Sequence, residues 1–214
     1  MTSSSKLTFI SAEQYLAAEE HAACRHEYVD GLVFAMTGGT RRHNLIAQNI
    51  CFRLREHLRG GSCRAYIEAV KARVEATNSF YYPDVMVACD KFDKKSVFTA
   101  YPVLIVEVLS PATAATDRRE KAFAYKQIET LQEYLIVHQS RKRVELHRKD
   151  QQGHWEISEF GAGSEFMLDS MPAGPFKLSM EHIYEDIDMD QSDELVVHED
   201  AEDEWNQEES EVDC

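Results

Sequence analysis

Positive charge is missing from the end of this 214-residue chain. No Lys or Arg occurs between Glu181 and Asp213, although 16 of the 38 acidic residues do. The formal net charge of −15 therefore belongs to this terminal segment, because residues 1–180 carry 22 acids and 23 bases. Negative charge repels the phosphate backbone of nucleic acid, so this partner is excluded for the terminal segment and stays open for the rest of the chain.

Long apolar runs and the common catalytic signatures are also missing. No stretch approaches the roughly 18 apolar residues of a membrane span, and no basic segment followed by an apolar one opens the chain. The five cysteines include no CxxC pair, the nine histidines form no HExxH, and no P-loop or GxSxG occurs. We therefore predict reduced cysteines and a soluble, cytoplasmic protein without a membrane segment.

What is present predicts one mixed α/β (α+β) domain over residues 1–187, with β-hairpins, and an acidic tail over residues 188–214. Apolar residues recur every four positions between Arg41 and Leu58, which is typical of one helix face. Asp30-Gly31 between two β-rich runs predicts a two-residue hairpin turn. The tail has too few apolar residues to offset the entropy of ordering it, so we expect it to be disordered when alone.

The remaining patterns predict a series of strands and short helices around one sheet. The run VLIVEVL at residues 103–109 is nearly continuous and apolar, as in a central strand buried on both faces. The other expected elements are a short helix within residues 8–23, two or three strands within 63–89, a helix over 117–129, a strand over 135–138 and a hairpin around Gly153.

Two carboxylates stand in apolar, strand-like surroundings. Glu107 is the one charge of its run, and Asp84 follows Pro83 where a strand is expected to begin. Burying a carboxylate costs several kcal/mol unless a cation or hydrogen-bond donors offset it. A buried salt bridge or a strand end that opens to solvent is one explanation for Glu107, and a turn or strand-start cap is one for Asp84. The other is that both bind one magnesium ion, whose octahedral shell takes one or two protein carboxylates.

A cation follows the second acid at helical spacing. Asp117 and Lys121 are four residues apart and would share one face of the expected helix, which Tyr125 extends by another turn. An ordinary surface ion pair is the alternative. Next to a metal, however, Lys121 could orient or deprotonate an attacking water, with Asp117 and Tyr125 positioning it.

The segments YYPDV, PVLIVEVLSPAT and DRREKAFAYKQI resemble those of the Uma-type family of "putative restriction endonucleases" within the PD-(D/E)XK nuclease superfamily. RHEYVDG, RRHN and LQEYLIVHQSRKRVEL are similar to the family as well, so the resemblance covers about residues 7–187. It implies a restriction-endonuclease-like core, a mixed sheet flanked by helices. By this resemblance Asp84 is the acid of the PD element and Glu107 the acid of the second element, both as ligands of Mg (or Mn).

One position departs from the superfamily pattern. Leu109 stands where the lysine of (D/E)XK would follow the second acid, and Lys121 is the natural substitute. The resemblance also adds Glu27 as an acid near the hairpin that could bind metal, although a surface charge is an equal alternative. His43 opens a helix where backbone N–H groups attract phosphate, but a solvated histidine is the simpler explanation. Glu68 is a weaker candidate.

The resemblance implies a magnesium-dependent endonuclease that hydrolyses DNA phosphodiester bonds, with catalytic Asp84, Glu107 and Lys121. Analogy with such folds also implies a homodimer. Two alternatives stay open: a catalytically inactive DNA-binding or assembly protein on this fold, and a regulatory protein that acts through its acidic tail. We further hypothesise that the tail binds a basic surface and weakly inhibits DNA binding, unless it serves solubility alone.

Overall fold

The computed structural model describes residues 9–36, 38–89, 96–109 and 117–189, without the side chains of residues 117 and 118. Its helices are α1 (Ala12–Glu19), α2 (Arg41–His57), α3 (Ala122–Tyr125) and α4 (Met180–Ile183), and a π-helical turn (Asp117–Lys121) precedes α3. Its strands are β1 (His26–Val29), β2 (Leu32–Ala35), β3 (Arg64–Ile67), β4 (Lys71–Val74), β5 (Ser79–Tyr81), β6 (Val85–Ala88), β7 (Phe98–Thr99), β8 (Pro102–Leu109), β9 (Glu133–His138), β10 (Arg143–Lys149), β11 (Trp155–Gly161), β12 (Glu165–Leu168) and β13 (Phe176–Ser179).

The strands form a mixed, six-stranded sheet and two smaller sheets. The large sheet has the order β11-β10-β9-β8-β6-β3, in which β8 and β9 run parallel and the other neighbours antiparallel. A five-stranded sheet has the order β2-β1-β5-β4-β7, and β12 pairs with β13. The expected mixed sheet with hairpins is therefore confirmed.

Strand β8 lies inside the large sheet because its side chains are apolar on both faces. Leu104, Val106 and Val108 join one buried cluster, and Ile105 and Leu109 join another. The two sets alternate along the chain, as the two-residue period of a strand requires. This arrangement confirms the central strand expected from the apolar run.

The two faces of the large sheet are covered by different elements. Helix α2 covers the first face with Ile46, Ile50 and Leu54, all fully buried, and α4 packs beside it. The second face is covered by α3 and by residues of β4 and β5. Each large apolar side chain buried in this way contributes about 1.5–3 kcal/mol, so both layers stabilise the sheet.

Helix α2 begins at a side-chain cap and ends within one residue of the predicted position. The Thr40 hydroxyl accepts a hydrogen bond from the backbone N–H of His43 at 3.1 Å, which satisfies one donor of the first turn. The helix stops after His57, and Gly60 beyond it adopts a φ of 78°. The cap fixes His43 in the first turn.

The predicted hairpins are confirmed, but other boundaries were wrong. Asp30 and Gly31 both adopt positive φ, as this two-residue turn requires, and β10 pairs with β11 around Gly153. Residues 63–89 hold four strands rather than two or three, because the backbone turns at Glu68 with a φ of 53°. The helix expected over 117–129 ends at Tyr125, where a tight turn bonds Ile128 N–H to its carbonyl.

Two cysteines that we predicted to be reduced are joined. The register of β3 against β6 pairs Arg64 with Ala88, which brings the next residues on each side, Cys63 and Cys89, together as a disulfide. Their separation of 26 residues carried no signal of this pairing. Cys51 is a buried free thiol.

The described chain ends on the surface of α2. The Arg42 guanidinium donates to the carbonyl of Asp188 at 3.2 Å, and Met189 packs against the first core. The body therefore makes contacts two residues beyond the predicted boundary at residue 187. The predicted disorder of the tail concerns residues outside the described ones from residue 190 onward.

Candidate active site

Asp84 and Glu107 lie side by side on neighbouring strands. Val85 pairs with Val106, so the register continues with Asp84 opposite Glu107. The backbone N–H of Val108 donates to Oδ2 of Asp84 at 2.6 Å, which holds this carboxylate against β8. Glu107 alternates with Val106 and Val108 and so faces the second side of the sheet. The two acids therefore converge at one end of β6.

Glu107 is buried and its charge is only partly compensated. Its side chain is 7% exposed, the Tyr125 hydroxyl donates to its Oε1 at 2.7 Å, and Lys121 Nζ lies 3.8 Å from the same oxygen. Burial raises the pKa of Glu107 well above its usual value, and the negative charges of Asp84 and Glu27 raise it further, against the lowering effect of Lys121 and Tyr125. The carboxylate form therefore needs an additional cation.

Lys121 and Glu27 form the second half of the cluster. Lys121 Nζ lies 2.8 Å from Glu27 Oε1, and the backbone N–H of Tyr82 donates to the same oxygen at 3.3 Å. Both side chains are mostly buried, at 11% and 15% exposure. Of the two alternatives for Glu27, the structure therefore favours a place in the site over a surface charge. Strand β1 brings it there through its pairing with β5.

His43 reaches the cluster from the other layer of the fold. Its Nε2 lies 3.2 Å from Oδ2 of Asp84, because Asp84 stands at a strand end that the first turn of α2 can approach. Burial alone would lower the pKa of His43, but the hydrogen bond and the negative charge of Asp84 outweigh it and raise the pKa. When His43 is protonated, its positive charge stabilises the Asp84 carboxylate.

Both ring packing and a hydrogen bond hold the side chain of Tyr125 in place. Its ring is fully buried and meets the edges of Tyr81 and Tyr134, with ring centroids 5.4 Å and 5.5 Å away. Its hydroxyl donates to Oε1 of Glu107 at 2.7 Å. This hydrogen bond joins Tyr125 to Glu107, and the role predicted for Tyr125 in positioning Lys121 stays a prediction.

Two weaker candidates have different outcomes. The side chain of Asp117 lies outside the described ones, so its role remains a prediction. Glu68 stands at the rim of the cluster, where its backbone N–H donates to the carbonyl of Asp84 at 3.2 Å and its side chain accepts from Asn44 at 3.3 Å. Its position supports the backbone around Asp84.

Three residues near the site were missed by sequence reasoning. Asn44 connects α2 to Glu68, Arg25 donates to the Glu68 carbonyl at 3.0 Å, and the Tyr82 hydroxyl donates to Glu19 at 2.8 Å. Arg25 and Asn44 stand within the segments RHEYVDG and RRHN, which carried the family resemblance without indicating these roles. Only the tertiary contacts of Glu68 and Tyr82 reveal them.

The cluster presents carboxylate oxygens, which are the ligands that a hard cation prefers. Glu27, Asp84 and Glu107 bring three carboxylates together with the cations Lys121 and His43, and the Lys121 ammonium serves two of the acids. Among the described residues, the hydrogen bonds to Asp84 and Glu107 use Oδ2 and Oε1, which leaves their second oxygens for an outside ligand. Within that same part of the chain, no group of three or more His, Cys, Asp or Glu residues is arranged so that it could hold a metal ion, and any ion there would depend on two carboxylates and water. Two carboxylate oxygens fit magnesium, which keeps several waters.

The mixed sheet, its two flanking layers and this acidic cluster define a protein with a nuclease-like fold. In a solved structure described as "a putative nuclease belonging to DUF820" from Anabaena variabilis, the same fold recurs with a TM-score of 0.65 and 15% sequence identity. The similarity covers 81% of this chain and 97% of that one. At this identity the likeness shows the fold alone.

The chain belongs to the Uma2 family, whose model is described as "Putative restriction endonuclease" and matches residues 12–181. Two relatives from Synechocystis sp., both described as uncharacterized proteins, support this membership. The first, slr1290, is 38% identical over 163 residues, which are 76% of this chain and 86% of the relative. The second, sll1609, is 31% identical over 153 residues, or 70% and 86%. Family and fold together support a nuclease, and the resemblance seen in the sequence is confirmed.

No helix in the described part of the chain is both long enough and apolar enough to cross a membrane.

Proposed function

We propose that the protein is a magnesium- or manganese-dependent endonuclease that hydrolyses phosphodiester bonds in DNA. The observation that carries the proposal is the convergence of Asp84 and Glu107 on one face of the sheet, with Lys121 Nζ 3.8 Å from Glu107. A buried acid pair with too little positive charge is costly without a further cation. Metal binding would offset that cost and form the catalytic site at once.

Asp84 and Glu107 would hold the ion through their second carboxylate oxygens. When bound, magnesium supplies Lewis-acid stabilisation of the charge that develops on the phosphoryl oxygens. Val108 N–H and His43 keep the Asp84 carboxylate in place, and Tyr125 keeps that of Glu107. These contacts preorganise the ligands before the substrate arrives.

Lys121 would act on the attacking water and the scissile phosphate. Its ammonium is held between Glu27 and Glu107, so it can orient a water by donating a hydrogen bond and can attract a phosphate oxygen. Glu27 positions Lys121 rather than binding the metal in this scheme, since its Oε1 already accepts from Lys121 and Tyr82. Asp117 retains its predicted supporting role.

Nicking of supercoiled plasmid DNA tests the proposal. We expect nicking that requires Mg²⁺ or Mn²⁺ and that Asp84→Asn and Glu107→Gln each abolish. Glu75→Gln is the matched control, because Glu75 is an exposed carboxylate on the β4–β5 turn. Activity that survives both site variants would contradict the proposed ligands. A wild-type chain that binds DNA but never cuts it would favour the alternative of an inactive DNA-binding protein on this fold.

The partners and the compartment form part of the same proposal. We expect a homodimer in which each active site cuts one strand of the duplex, by analogy with other folds of this kind. We also expect a cytoplasmic location. Sedimentation of the protein with and without a DNA duplex measures the first expectation.

A further inference from the structure

A groove of about 850 Å³ runs between α2 and the edge strand β3, outside the acidic cluster. Strand β3 is the last strand of the six-stranded sheet, and its outer edge has no strand partner among the described residues. Phe52 lines the groove from α2 and is 57% exposed, and Ile67 lines it from β3. An exposed aromatic side chain beside an open strand edge suits an extended, partly apolar segment.

The groove is also basic. Arg55 lies in the last turn of α2, Arg59 lies two residues beyond the end of this helix, and Arg64 lines the groove from β3. None of the three guanidinium groups forms an ion pair with a carboxylate of the described chain, and Arg64 donates instead to the carbonyls of Gly61 and Cys63. Glu56 is the one acid among the described residues that line the groove. The groove therefore attracts an anion that the described residues do not supply.

The last described residues leave the body along the same helix. On the flank of α2 away from the groove, Asn49 donates to the carbonyl of Glu185 at 2.9 Å and Arg53 pairs with its side chain at 2.8 Å. Arg42 then holds the carbonyl of Asp188 one residue before Met189. Residues 190–214 therefore begin beside the first turn of α2, about two turns from the start of the groove.

These terminal residues have the complementary chemistry. They contain 12 acidic residues and no Lys or Arg, and they also contain the apolar run Leu195–Val197 and Trp205. We propose that the acidic tail, residues 190–214, binds as an extended segment in the groove between α2 and β3 of its own chain. Its carboxylates pair with Arg55, Arg59 and Arg64, and its apolar residues contact Phe52.

Length and attachment favour the tail over other occupants. Fifteen residues separate Met189 from Trp205 and, when extended, let the chain span up to about 50 Å, whereas the 17 residues of α2 are only about 26 Å long. A covalently attached segment also acts at an effective concentration on the order of millimolar. A second copy would place identical arginine-lined grooves against each other, where like charges repel. A nucleic-acid strand would have to displace the tail.

Fluorescence of Trp205 in the full chain tests this binding without reference to DNA cleavage, so its result is separate from the proposed nuclease activity. The chain has two tryptophans, and Trp155→Phe leaves Trp205 as the single reporter. We expect acrylamide to quench Trp205 several-fold less efficiently at low salt than at about 0.5 M salt, where ion pairs are screened. Adding Arg55→Glu and Arg59→Glu should remove the low-salt protection.

The matched control reverses the charge of two lysine side chains at the opposite edge of the sheet. Lys126 and Lys149 flank residue 155, near strand β11, so Lys126→Glu with Lys149→Glu makes the same charge change far from β3. Protection should persist in that control. Arg59→Gln is the milder groove variant if the double reversal unfolds, and it should weaken protection in part.

Three results would overturn the proposal. The first is that Trp205 is as accessible to acrylamide at low salt as at high salt. The second is that its protection survives the groove variants, and the third is that the control pair removes the protection equally. Protection that grows with protein concentration would place the tail in another chain and would also contradict binding within the same chain.

Discussion

One face of the six-stranded sheet is apolar and the other holds the charged cluster, although neighbouring residues of the same strands supply both. On the first face, Val106 and Val108 pack against α2 in a continuous core. On the second face, Glu107 lies between Ile105 and Leu109 and meets Lys121 and Tyr125. Because alternate residues of a strand face opposite sides of the sheet, Val106 and Val108 lie on the first face and Glu107 lies on the second.

The difference shows how a fold can carry a costly site. A buried carboxylate opposes folding unless it is paired, whereas each apolar side chain on the first face contributes free energy of folding. The apolar side chains packed on both faces of the sheet therefore offset the free-energy cost of the buried charged cluster. Substitutions on the two faces should separate these contributions cleanly.

The largest effect is expected on the charged face. Lys121→Met removes the ammonium between Glu27 and Glu107 and should lower the nicking rate by about 10²–10⁴-fold, the range of a positioned proton donor or base. Lys142→Met, on an exposed turn, is the control. A rate within twofold of wild type in both variants would remove Lys121 from the mechanism.

On the apolar face, Leu54→Ala should act on stability instead. Leu54 is fully buried, so the cavity should cost about 2–5 kcal/mol in the free energy of unfolding. Denaturant titration measures this cost. The nicking rate of the protein that remains folded should stay close to that of wild type. A specific loss of activity without loss of stability would show that the two faces are coupled.

A smaller effect is expected where the two layers meet, at His43. His43→Gln removes the positive charge beside Asp84 and should weaken metal binding and nicking by roughly 10–100-fold, as for other groups that orient a ligand. Calorimetric titration with Mn²⁺ measures the binding directly. Equal Mn²⁺ affinity in the two proteins would show that His43 does not hold Asp84 for the ion.

Glu107→Gln should stabilise the metal-free protein while it abolishes activity. Because burial raises the folded-state pKa of Glu107, stability from its protonated form is fully present below the ordinary pKa of 4.5 and is lost as pH rises through the raised value. The variant should therefore gain about 1–2 kcal/mol, or roughly 2–8 °C in Tm, at about pH 8. The gain should shrink toward about pH 4. A gain that is constant with pH would contradict this cause.

The smallest effect is expected from the tail. Truncation after Met189, which keeps the contacts of Asp188 and Met189 with the body, should tighten binding to a DNA duplex about threefold at low salt. The change should vanish as salt screens the tail. Unchanged affinity at every salt concentration would remove the hypothesis that the tail inhibits DNA binding.

Sequence patterns correctly predicted the helices and turns that are determined by residues close together in the chain. The spacing of apolar residues in α2 and the Asp30-Gly31 turn each act through neighbouring residues, so their positions followed directly. The helix over 117–129 was predicted too long because its end depends on where β9 must start beside β8. The pairing of Cys63 with Cys89 depends likewise on the register of two strands.

The residues of the candidate site likewise fall into those that the sequence indicated and those that only the tertiary contacts revealed. Asp84 and Glu107 stood out because a carboxylate in an apolar run needs compensation wherever it folds. A surface charge explained Glu27 equally well, and a solvated histidine was the simpler explanation for His43, since nothing local brings β1 or the first turn of α2 to these acids. Arg25 and Asn44 carried no signal of their contacts with Glu68.

The amino-acid sequence alone determined the alternation that buries Glu107, the helix that presents His43 and the charge contrast between body and tail. These features follow from side-chain chemistry and from spacing of a few residues. Only the tertiary structure decided that Glu27, Asp84, Glu107, Lys121 and His43 meet at one place. Contacts between residues far apart in the chain depend on strand register and layer packing, which no local pattern specifies.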